Sequence, residues 1–149
     1  MPLLLACVVP LSSQETGGGF SKGPPLAWNF PGQSPRSLAM ELAAGNVGEG
    51  YQVHDGFWSC TLSKSVPVLV EVFLFAGNDY RFSVASLEPF SQLSLSIFDA
   101  TGCPVGMEYS GDSFCSTAGL SVIKTGRYFV RLVMTGSDTA DTCMVYCYK

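Results

Sequence analysis

From Tyr51 to the C-terminus, apolar residues come in short runs separated by Gly, Asn, Asp and Pro, the punctuation of an all-β chain. Tyr80, Phe82 and Val84 alternate with Arg81 and Ser83, and Leu93, Leu95 and Ile97 alternate with Ser94 and Ser96. A period of two marks strands that bury one face. Phe57–Leu62, Gly126–Met134 and Thr142–Tyr148 read as further strands, with a polar loop over Thr135–Asp141. Val68–Phe75 is apolar almost throughout. Such a run is either covered on both faces or presents Phe73 and Phe75 to a partner. Ala76–Asp79 and Asp99–Gly102 have the composition of tight turns. The segment Ser34–Gly45 is ambiguous. Ser34, Pro35 and Gly45 would frame a short helix, whereas Leu38, Met40 and Leu42 alternate as in a strand. The all-β context favours an edge strand. The pattern predicts one antiparallel β-sandwich or barrel over residues 34–149, with no internal repeat.

Composition supports a folded chain, since 47% of the 149 residues are hydrophobic and 13% charged. A net charge of −4 with eight scattered Lys and Arg supplies no field for a phosphate backbone, which disfavours nucleic-acid binding. Leu3–Leu11 is an apolar run too short to span a bilayer and resembles the core of an export signal over residues 1–12. It has no preceding cation, the first being Lys22, so the true start is expected elsewhere or the signal is atypical. A buried N-terminal strand is the alternative. Leu4-Leu5-Ala6-Cys7 also resembles a lipobox, which makes Cys7 a candidate for lipidation and for membrane attachment. Residues 13–33, with Gly17-Gly18-Gly19 and Pro24-Pro25, have linker composition.

Six cysteines in an exported chain favour disulfides over metal ligation. Without Cys7, the five others leave at least one unpaired or bridged between chains. Cys103 and Cys115 are the favoured pair, because the Gly-rich stretch between them reads as a closed loop worth roughly 3 kcal/mol when cross-linked. On one strand, Cys143 and Cys147 would lie about 13 Å apart, too far for a mutual disulfide or a shared zinc ion. Cys60 is the leading partner for one of them. Reduced core cysteines are the alternative.

With the strands placed, Leu74–Val84 resembles the "aGxxYxfxv" strand pair of bacterial pre-peptidase C-terminal domains. Leu93–Gly102 is similar to that family's "LxLxlyDxxG" strand and turn, and Thr125–Leu132 to its "tGxYyvxv" strand. The resemblance covers Val53–Tyr148, about two thirds of the chain. It implies a jelly-roll-like sandwich appended to exported enzymes as a non-catalytic accessory.

Candidate chemistry is sparse. His54 is the single histidine, and no nucleophile elbow accompanies it, so a small hydrolase built on His54 is a distant reading. Asn78, Asp79, Asp99 and Asp112 are oxygen donors near turns; Ca2+ would bind if they converged, although turn chemistry alone accounts for them. Trp28, Trp58, Phe73, Phe98, Tyr109 and Phe129 exceed the needs of alternating core faces. Exposed rings would serve a protein partner or stack on a polysaccharide, with Trp58, Phe73, Phe75 and Tyr109 the candidates. The leading expectation is an exported, non-enzymatic accessory or interaction module, secreted or held in the cell envelope, without a cofactor. A carbohydrate-binding module is the alternative.

Overall fold

The structure, a computed structural model, describes residues 9–10, 33–110 and 115–149. The strands are β1 (Val9–Pro10), β2 (Gln52–Ser63), β3 (Val68–Leu74), β4 (Asp79–Ser86), β5 (Gln92–Asp99), β6 (Met107–Ser110), β7 (Cys115–Ser121), β8 (Gly126–Thr135) and β9 (Thr139–Tyr148). They form two sheets of order β1-β3-β8-β5 and β2-β9-β4-β7-β6. All pairings are antiparallel except that of β1 with β3. The fold is an all-β sandwich, as the alternation predicted. Cys7, the linker of residues 13–33, Trp28 and Asp112 lie outside the described residues. Val9–Pro10, within the expected signal, pairs with Val70–Glu71 at the edge of the first sheet.

The inner faces interdigitate through Phe82, Val84 and Met144 from one sheet and Val70, Leu95, Val130 and Leu132 from the other, all fully buried. Each such side chain contributes roughly 1.5–3 kcal/mol of apolar transfer. The opposite face of the five-stranded sheet is also covered. Arg81, Ser83 and Ala85 of β4 face outward there, beside Cys143 and Val145 of β9.

The cover is a helix, α1 (Pro35–Ala44), where an edge strand was expected. Capping decided the outcome. The Ser34 hydroxyl accepts from Ser37 N at 3.0 Å, the Ser37 hydroxyl accepts from Ser34 N at 2.7 Å, and Pro35 occupies the first turn. Ala39 and Ala43, one turn apart, are fully buried against Ala85, Cys115, Cys143 and Val145. Small residues on both surfaces let the helix lie close to the sheet, and Arg36 stacks over Phe57 at 4.1 Å. A 3-10 turn, Val47–Glu49, then leads to β2.

Two irregularities shape the sandwich. Val53 pairs with Cys147 and Phe57 with Val145, so four steps along β2 answer two along β9. This bulge holds residues 54–56 out of the ladder. On the other side, Pro104 bridges Phe98, Val105 N donates to Ile97 O at 2.9 Å, and the chain then enters β6 in the second sheet. Gly106 makes this crossing tight, since a Cβ there would sit 3.0 Å from the Ile97 side chain, which would have to shift to admit it. The Glu108 carboxylate completes the seam, accepting from Leu95 N at 2.9 Å.

Candidate functional site

The outward positions of β3 are dictated by its register. Val70, Val72 and Leu74 are buried, so Phe73 points away from the core and is 55% exposed. Phe75 follows the strand at 56% exposed, and the two rings meet edge to face at 5.4 Å. The apolar run is therefore not covered on both faces. Ile123, 92% exposed, sits in the neighbouring β7–β8 loop.

These side chains stand on a braced frame. Gly77, at φ +88°, turns the chain between β3 and β4. Gly77 N donates to Val122 O and Val122 N to Asn78 O, both at 2.9 Å, tying the turn to the loop that carries Ile123. Phe75 N donates to the Tyr80 hydroxyl at 3.0 Å and Ala76 N to the Thr125 hydroxyl at 2.9 Å. The Tyr128 hydroxyl donates to Lys124 O at 2.7 Å. Arg127, opposite Phe73 in the ladder, pairs with Glu71 at 3.2 Å. The result is a preformed apolar end with a charged margin. Exposed apolar groups clustered in this way mark an interaction surface more often than isolated ones do.

The other expected sites are placed differently. Trp58 is 5% exposed in the core between the sheets and offers no ring to a ligand, because its parity on β2 matches Leu62. The side chain of Tyr109 lies outside the described residues. His54 stands in the bulge of β2, stacked on Tyr146 at 4.4 Å, and its Nδ1 accepts from Gly56 N at 2.9 Å. These contacts make it a packed structural ring.

Among the described residues, no disulfide forms. Cys115 opens β7 beside the turn of the β6–β7 hairpin, whereas Cys103 precedes the opposite end of that hairpin, so the favoured pair is separated by the length of β6. Cys60 lies opposite Thr142 and packs against the core between the sheets, whereas Cys143 lies under α1. Cys147 also lies on the helix side, near Asn46. Burial pushes the Cys143 thiol up to about 12 and raises that of Cys147 as well. Both thiols are buried.

Of the proposed calcium donors, Asp112 lies outside the described residues, and no cluster of three or more His, Cys, Asp or Glu residues forms among those described. Asp99 Oδ1 accepts from the Thr101 hydroxyl, Thr101 N and Cys103 N, which hold its carboxyl below the usual range. Asp79 accepts from the hydroxyl of Ser121, its ladder partner on the adjacent strand β7. Turn and ladder chemistry uses these oxygens. Sequence reasoning missed Ile123, whose only signal is a large apolar residue in the Ser121–Thr125 loop. It also missed a polar cluster around Tyr51 and Arg81, assembled from segments distant in sequence.

No protein-family model matches the chain, and no curated protein does. Among solved structures it is similar to PliG of Aeromonas hydrophila, a periplasmic lysozyme inhibitor of g-type lysozyme. The likeness has a TM-score of 0.50 at 7% identity, covering 68% of this chain and 90% of that one. At this identity it shows a shared β-rich fold.

Proposed function

We propose that this chain is an exported, non-enzymatic β-sandwich that binds a partner protein through Phe73, Phe75 and Ile123. The observation that carries the reading is the exposure of these three large side chains on a hydrogen-bonded frame. Rigid apolar anchors lose little conformational freedom on binding, which suits a protein interface. Resemblance to pre-peptidase C-terminal domains supports an accessory role, and the fold shared with a periplasmic inhibitor makes a g-type lysozyme the first partner to assay. The pairing of β1 with β3 favours processing that retains Val9–Pro10, such as lipobox cleavage before Cys7. Intact mass of the protein from its native host reads that event.

The test of the surface is peptidoglycan clearance by a g-type lysozyme with increasing amounts of the full chain, alongside direct binding of the two proteins. The expected result is stoichiometric inhibition that is lost in Phe73→Ser/Phe75→Ser/Ile123→Ser. Loss of anchor contacts of about 2 kcal/mol or more weakens binding roughly thirtyfold or more. Unchanged binding by a folded triple variant would remove this surface from the reading. Absence of any lysozyme binding would remove that partner.

A further inference from the structure

Beside the 3-10 turn, at the margin of the five-stranded sheet, lies a cavity of about 240 Å3 whose lining includes Tyr51, Asp79, Arg81, Val105, Gly119 and Ser121. Sites for drug-sized ligands measure roughly 300–1,000 Å3, so an occupant here is small. Its two charges come from one strand. Asp79 and Arg81 are two residues apart on β4, hence on one face with Cα atoms about 7 Å apart. On β7, Ser121 lies opposite Asp79 and Gly119 opposite Arg81. Gly119, which has no side chain, lines the cavity beside the arginine.

The acid and the base are held toward different neighbours. The Ser121 hydroxyl donates to Asp79, while Arg81 reaches Glu49 at 2.8 Å and donates to the Asn46 side-chain oxygen. Arg81 also lies over the Tyr51 ring at 4.5 Å, and the Lys149 ammonium approaches the same ring at 4.6 Å. One part of the cavity is therefore cationic with an aromatic wall, and another carries a carboxylate. The side chain of Glu49 is 56% exposed and can swing into water when another carboxylate takes the guanidinium fork.

We propose that this cavity binds a small zwitterion of the free α-amino-acid type, its carboxylate on Arg81 in place of Glu49 and its ammonium on Asp79. The site lies apart from Phe73, Phe75 and Ile123 in its lining and does not depend on the partner-binding role.

Glycine and L-alanine titrated into the full chain, followed by amide NMR shifts and calorimetry, test the assignment. The expected result is saturable shifts centred on Tyr51, Arg81, Gly119 and Ser121. Acetate and methylammonium, each carrying half of the charge pattern, should bind about tenfold more weakly or worse. Asp79→Asn preserves an acceptor for Ser121 but removes the charge, and should lower amino-acid affinity by about tenfold. Gly119→Ala should lower it by filling the space. Lack of saturable shifts at these amides, acetate binding as tightly as glycine, or undiminished affinity in Asp79→Asn would each overturn the proposal.

Discussion

One carboxylate completes the seam between the two sheets, and its removal has a calculable cost. Leu95 is fully buried on β5, and its amide donates to Glu108 Oε1 at 2.9 Å across the gap between sheets. Glu108→Ala leaves that amide without its acceptor. A hydrogen bond to a charged group contributes about 1.5–3 kcal/mol, and a buried donor left unsatisfied costs about 1–3 kcal/mol. Because Glu108 itself is exposed to water, the lower part of that span applies, about 1.5–2 kcal/mol. Glu108→Gln keeps an acceptor but loses charge assistance, which roughly halves the bond, so about 1 kcal/mol is expected. In a chain of 149 residues the alanine change corresponds to a Tm drop of roughly 4–8 °C. Urea unfolding of both variants measures the global effect, and hydrogen exchange of the Leu95 amide reads the local one. An alanine variant within about 0.5 kcal/mol of the parent, with Leu95 exchange unchanged, would refute the account of the seam.

Gly136, at φ +89°, lies where a Cβ would run into the Phe90 carbonyl, so Gly136→Ala should destabilise by about 2–4 kcal/mol in urea unfolding. Burial raises Cys143 and Tyr146 to about 12 each, from 9.0 and 10.0, so the folded state holds these protons more tightly than the unfolded chain. Their contribution to stability is complete below about pH 9 and should be lost progressively as pH rises toward 12, which unfolding midpoints across that window would show. Under native conditions near neutral pH, an alkylating reagent should label exposed Cys103 far faster than Cys143, as peptide mass mapping will reveal. Phe73→Ser/Phe75→Ser should leave the unfolding midpoint almost unchanged, within about 0.5 kcal/mol, because both rings are already exposed; a larger drop would assign them to the core.

The strands were legible where bulky residues alternate with polar ones, as in β4, β5 and β8, because burial of one face imposes that period. Helix α1 was misread for a physical reason. Its buried contacts are Ala39 and Ala43, too small to stand out as a hydrophobic stripe, while the conspicuous Met40 faces water at 38% exposure. The Ser34 and Pro35 start signals carried the correct information. β7, Cys115–Ser121, was invisible for a similar reason, since Ser, Thr, Ala and Gly dominate a strand whose ladder partners β4 and β6 place it inside the sheet. Of the interaction surface, Phe73 and Phe75 were readable from an apolar run too long to be one buried face. The contribution of Ile123 depends on the pairing of Gly77 with Val122, a tertiary contact without a local signature.

The bulge of β2 bears on what the margin of its sheet offers to another chain. β2 runs for 12 residues along the outer margin of its sheet, and a flat strand of that length would template the same strand of another copy. The two extra residues between Val53 and Phe57 break the row of amides and carbonyls that such a neighbour needs. Excising two residues would preserve the inside–outside parity of the strand while straightening its margin. The irregularity that positions His54 is thus also a guard against fibre growth.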